Sequence, residues 1–270
     1  MISKKNLKNI IVAGIDRDIV LFEDVIDVEN IETEHVNEYR FISDDARKFI
    51  DNNFHSKQEA SHGLRDSSLL GLTNFDFYGG KVFINFEKGN YKTYLATIEP
   101  RYREYIGKEN FFIVPISTIN LVITKDKKII LTKADQKQFT AICGFPGEDD
   151  VSSEKINLSG YFLKEIFRKI GNLYLYDTKL LGIFKANCCF LIVKHQTDYR
   201  SKEIEEIYNA NAESRKASGN TAEIAFVKNR EEDIGEVIKS PNFSRETRHA
   251  FKFYIKNIFY NYKYINTKIE

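Results

Sequence analysis

Four ionisable side chains crowd into one short stretch, Lys164-Glu165-Ile166-Phe167-Arg168-Lys169. On a helix, side chains three and four positions apart are neighbours, so Lys164 meets Arg168, and Glu165 meets Arg168 and Lys169. Two chemistries suit such a cluster. Carboxylates at this spacing converge on a hard divalent cation, which neutralises phosphate charge and activates a water. Cations at this spacing hold a phosphate directly, Arg through a bidentate fork and Lys as a point charge. With three cations to one carboxylate, Lys164, Arg168 and Lys169 read either as candidate ligand-binding residues for a phosphate or as a solvated helix face. Glu165 reads either as a metal ligand or base, or as an exposed helix glutamate paired with Lys169.

Just upstream, Glu148, Asp149, Asp150 and Glu154 fall within seven residues. They read as loop ligands for Mg²⁺ alongside Glu165, or as a solvated turn. Elsewhere the inventory is thin. The five histidines (His35, His55, His62, His195 and His249) form no HxxxH or HxE pair, which argues against a histidine metal centre or acyl-transfer site. Cys143, Cys188 and Cys189 lack CxxC spacing and read as small buried thiols. GxSxG, the P-loop and GxGxxG are all absent. From Phe243 onward, Arg245, Arg248, Lys252, Lys256, Lys263 and Lys268 mix with aromatics, as in a nucleic-acid surface or in a helix with rings on a sheet and cations in water. Forty Lys+Arg against 39 Asp+Glu leaves a net charge of +1, which supplies no general attraction for nucleic acid or an anionic membrane.

The elements that must position these residues follow from periodicity. Leu158, Phe162, Ile166 and Ile170 recur every four residues, predicting a helix over 157–170 with Gly171 as its C-cap. A strand ending at Gly144 precedes it, separated by a polar loop. Before that, IVPISTINLVITKDKKIILTK reads as two strands of a hairpin around a Lys125-Asp126-Lys127-Lys128 turn. LYLYDTKLLGIF, CCFLIVKHQ and AEIAFVK read as later strands. Ser201 to Asn209 reads as a short helix capped by Ser201. The segment from Ser244 reads as a closing helix with Phe251, Ile255, Ile258, Tyr262 and Ile265 on one face.

In the first half, NIIVAG and 18–25 read as strands, and Ser43 caps a helix of about three turns. FDFY, Gly79-Gly80 and the alternating segment through Ile98 predict a β-hairpin or meander. The Pro- and charge-rich segment 99–110 is the natural connection, placing a smaller α+β domain at 1–108 and a second domain at 109–270. The second half, β-β-β-α-β-β-α-β-α, predicts an α+β or three-layer α/β/α fold on a mixed sheet. No apolar run approaches the ~20 residues needed to span a bilayer, and the first residues lack a signal-peptide core, so the expectation is a cytoplasmic chain.

This order of elements, with Gly144-Phe145-Pro146-Gly147, an acidic loop and a helix reading Lys164-Glu165-Ile166-Phe167-Arg168-Lys169-Ile170-Gly171, resembles the Nudix family. The resemblance spans about residues 112 to 265. The family signature is a Gly, five residues, a Glu, seven residues, then Arg-Glu-apolar-x-Glu-Glu-x-Gly. Glu165 stands at the Glu of Arg-Glu, Lys164 replaces the Arg, and Gly171 matches the last Gly. At the two positions of the adjacent metal-binding glutamates this chain has Arg168 and Lys169. Glu154 matches the isolated Glu only if the loop holds about two extra residues.

The resemblance therefore implies a Nudix-like mixed-sheet sandwich that binds a nucleotide-type ligand, or serves as a scaffold, with little or no hydrolysis and no cofactor. One alternative is an active Mg²⁺-dependent pyrophosphatase using Glu154, Glu165 and the loop acids as catalytic residues. The other is a protein-interaction subunit with a closed pocket, as a homo-oligomer or with a protein partner.

Overall fold

The structure is a computed structural model and describes residues 19–36, 42–60, 64–99, 101, 114–134, 138–213 and 223–260. The chain opens with strands β1 (Ile19–Phe22), β2 (Ile26–Asp27) and β3 (Ile31–His35) and helix α1 (Asp44–Ala60). Strands β4 (Ser68–Tyr78) and β5 (Lys81–Asn90) and helix α2 (Tyr91–Thr97) follow. Then come β6 (Ile116–Ile123), β7 (Lys128–Ala134), β8 (Gln138–Thr140), β9 (Ile142–Gly144) and the short pair β10 (Val151–Ser152) and β11 (Lys155–Ile156). Helix α3 (Leu158–Lys169), β12 (Leu175–Lys185), β13 (Cys189–Thr197) and α4 (Ser201–Ala210) lead to β14 (Glu223–Lys228). Helices α5 (Glu231–Lys239) and α6 (Arg245–Tyr254) close the described chain, α6 running into π-helical turns over Ile255–Tyr260.

All eight residues of β6 are buried, so both faces of this strand are covered. It lies inside a nine-stranded mixed sheet ordered β1-β12-β13-β6-β7-β14, with β2 on β12, β8 on β7 and β9 on β6. The β13–β6 pair is parallel and the other pairings in this sheet are antiparallel. Strand alternation then assigns the two faces. Ile119, Leu121, Ile123, Ile129 and Leu131 pack with Ile234 and Val237 of α5 and Phe251 and Phe253 of α6. Val122, Ile130 and Ile142 point the other way, to Ile166 of α3 and to Ile204 and Tyr208 of α4. On that same face a three-stranded sheet, β3-β5-β4, packs beside α3 over β12 and β13. The result is an α+β architecture on a mixed sheet, with helices on both faces.

Several local expectations are met for the reasons stated. Ser43 caps α1, its hydroxyl accepting from the Ala46 N–H at 3.3 Å. Gly79 and Gly80 both have positive φ, as the two-residue hairpin turn requires. In α3, Asn157 accepts from the Gly160 N–H at 3.0 Å and Leu158, Phe162, Ile166 and Ile170 are buried as expected, but Tyr161 and Glu165 are buried too, so the inward face is wider than the apolar stripe and takes in a glutamate expected on the outside.

Other expectations need correction. The strand expected to run through Ile98 stops at Asn90, whose side chain accepts from the Thr93 N–H at 2.9 Å and starts α2 instead. Arg200, not Ser201, is the N-cap residue of α4; the Ser201 N–H and hydroxyl both donate to Asp126. The polar loop before α3 holds the β10–β11 hairpin, and α5 lies between β14 and α6. The boundary near residue 108 lies outside the described residues, as do the NIIVAG strand, Tyr262 and Ile265. β1 and β2, which precede that boundary, pair with β12 and so belong to the large sheet.

Candidate functional site

The candidate site is built around the end of β9. Residues directly opposite in a ladder share a face. Thr118 pairs with Gly144 and Ile119 with Cys143, so Gly144 faces α3 while Cys143 faces α6.

On the α3 face, a Cβ at Gly144 would lie 2.3 Å from Glu165 Oε2 and 2.5 Å from the Tyr161 hydroxyl, so only glycine leaves room for the two side chains. Glu165 is buried, and its carboxylate accepts from Arg168 Nη2 at 2.8 Å. The expectation of an exposed Glu165 paired with Lys169 is corrected here, because the fourth-residue spacing of the core stripe carries Tyr161 and Glu165 inward along with Phe162 and Ile166. Lys164 reaches back to Asp150 at 2.9 Å, and the other Asp150 oxygen accepts from the Gly147 N–H at 2.9 Å. Two buried carboxylates thus each hold a half-exposed cation on the outer edge of α3. Lys169 is half-buried and also has a partner.

Glu154 lies elsewhere. It sits with Ser153 in the β10–β11 turn, both at positive φ, and its carbonyl accepts from the His35 N–H at 2.8 Å. There it lines an acidic groove with Glu32 and Glu34. The structure therefore does not bring Glu154 and Glu165 together, and Glu148 and Asp149 are exposed. Among the described residues, no group of three His, Cys, Asp or Glu side chains is arranged to hold a metal ion.

Beneath α3, His195 of β13 is fully buried with its ring edge-on to Phe162, centroids 5.4 Å apart. Asn120 Nδ2 donates to the Ile142 carbonyl at 3.1 Å, which leaves Asn120 Oδ1 to accept from His195 Nε2 at 2.9 Å. His195 Nδ1 then accepts from the Thr178 hydroxyl at 3.1 Å. Burial, with the charge of Lys194 adding to it, pushes its pKa down to about 3, so the ring is neutral and structural.

On the α6 face a cavity of about 290 Å³ opens. Ser117, Ile119 and Cys143 from the strands line it together with Tyr94 and Phe190. Phe145 stands at the rim, 39% exposed. The first turn of α6 supplies Arg245, Glu246 and Thr247. That turn is fastened to the strands. Ser244 accepts from the Thr247 N–H, the Thr247 hydroxyl oxygen accepts from the Ala141 N–H at 2.9 Å, and the Ser244 N–H donates to the Phe139 carbonyl at 3.0 Å.

Cys143 is exposed, contrary to the expectation of three buried thiols; Cys188 and Cys189 are buried. Burial raises the thiols of Cys188 and Cys189, both to about 12, which leaves them protonated and poorly nucleophilic at neutral pH.

Lys164, Arg168 and Lys169 line neither the acidic groove nor this cavity. Their helix presents Leu163 and Phe167 to solvent, four residues apart. Glu246 and Ser117 were not legible as site residues, because tertiary pairing alone brings them to Cys143. The strand ending at Gly144 was the one local signal that pointed there.

No protein-family model matches the chain, and no curated protein matches it in sequence. Among the described residues, no helix is long and apolar enough to cross a membrane.

Proposed function

We propose that the chain is a Nudix-like protein that binds a nucleotide-type ligand in the α6-face cavity without hydrolysing it. The observation that carries this reading is the cavity itself, which joins aromatic walls at Tyr94, Phe145 and Phe190 to polar groups at Ser117, Asn187 and Glu246. Mixed apolar walls with a few placed polar groups suit a flat heterocycle, and the volume sits near the lower end of small-molecule sites. Arg245, exposed beside the cavity, suits the phosphate end. The order of hairpin, loop, helix on one sheet face and closing helix on the other supports the Nudix-like part of the reading. Absence of turnover is supported by Glu165 and Asp150, which already hold Arg168 and Lys164.

The test is a thermal-shift panel of nucleotides and nucleotide sugars, run with EDTA and again with Mg²⁺, comparing wild type with Asn187→Phe, which places a ring in the cavity from an exposed turn. Stabilisation of wild type alone is the expected result. Stabilisation that requires divalent metal would restore the hydrolase reading. A second reading, an interaction subunit, is favoured by the exposed Leu163 and Phe167 on α3, and it gains if no nucleotide stabilises the protein.

A further inference from the structure

We propose that Glu246 is the specificity determinant of the α6-face cavity and selects a ring with two adjacent N–H donors, which among the nucleobases is guanine; this rests on the nucleotide-binding reading above. Glu246 sits in the first turn of α6 and lines the cavity. It shares that lining with Tyr94, Ser117, Cys143 and Cys188, so the residue stands among the groups a bound ring would meet. Among the described residues it has no hydrogen-bond donor and no cation partner, although it is half-buried. A half-buried carboxylate left unpaired in a cavity with aromatic walls calls for a donor from the ligand.

A carboxylate accepts two parallel N–H bonds in one plane. Guanine offers N1–H and the 2-amino group side by side. Hypoxanthine offers N1–H alone. Adenine sets an acceptor beside its amino group, which a carboxylate repels. The anchoring of α6 through Thr247 and Ser244 holds Glu246 in place before the ligand arrives, which favours discrimination. Arg245 is exposed while Glu246 is half-buried, matching a ligand with its base inside and its phosphate at the mouth.

The test is isothermal titration of GMP, IMP and AMP into wild type and Glu246→Gln in EDTA, with Asn187→Phe as the cavity control. Wild type should bind GMP more tightly than IMP or AMP by roughly tenfold to hundredfold, the equivalent of one charge-assisted hydrogen bond. In Glu246→Gln the side chain carries one acceptor and one donor, so preference should move from GMP toward AMP. Equal binding of GMP and IMP by wild type overturns the proposal without needing any variant, and leaves the ligand-binding reading standing. So does an unchanged GMP preference in Glu246→Gln. If wild type binds none of the three, or if Asn187→Phe binds as wild type does, the cavity reading falls and this proposal with it.

Discussion

At the residue scale, the buried polar groups under α3 have one consistent chemistry: each charged or titratable group is neutral or already matched. His195 gives the sharpest consequence. In the unfolded chain its imidazole takes up a proton near 6.5, while in the folded protein burial delays this to about 3. Between these values the unfolded state holds more protons, so stability falls as pH drops through this window. The slope from this one group approaches about 1.4 kcal/mol per pH unit below 6.5. Urea titrations from pH 7.5 to 5.5 should show wild type losing stability that His195→Gln does not lose. Parallel pH profiles for the two proteins would contradict the neutral, buried ring.

The same residues show what sequence could and could not reveal. Leu158, Phe162, Ile166 and Ile170 mark their helix face because large apolar side chains at helical spacing have few other uses. Glu165 carries no such mark. A glutamate on a helix reads as exposed unless a neighbouring strand has left a space for it, and that space is the missing side chain of Gly144.

At the element scale, α6 decides the site, because it covers one face of the sheet and delivers Glu246 to the cavity. It packs against Gly182 of β12, where a Cβ would lie 2.4 Å from two ring carbons of Phe253 and 3.0 Å from the Phe22 carbonyl oxygen. The ring is buried, so the neighbours around it would have to shift with it. Gly182→Ala should therefore cost about 1–3 kcal/mol, read as a lower Tm, and should weaken ligand binding by displacing α6. Gly182→Ala/Phe253→Leu should recover part of both losses. A Gly182→Ala protein with wild-type Tm would show that α6 does not pack as described.

Long, strongly patterned elements such as β6, α3, β13 and α6 were readable from apolar periodicity. The helices α2 and α5 were not. The first is seven residues long, beginning at an asparagine cap inside a segment with strand-like alternation, and the second buries only Ile234 and Val237.

At the scale of the whole molecule, the chain brings together segments far apart in sequence. Tyr94 from α2, Cys143 from β9, Cys188 from the β12–β13 turn and Glu246 from α6 line one cavity. A division at residue 108 would separate Tyr94 from the rest, and β1 and β2 from the sheet they extend. No local motif encodes this convergence, since it depends on strand order.

The central claim is binding without hydrolysis. The most direct measurement is ³¹P NMR of a guanine nucleotide sugar, GDP-mannose, mixed with the protein in the presence of Mg²⁺ and followed over hours. Binding without turnover gives broadened or shifted diphosphate resonances that keep their full intensity, with the effect lost in Asn187→Phe. Growth of monophosphate resonances with wild type, abolished by Glu165→Gln, would contradict it and make Glu165 a catalytic carboxylate.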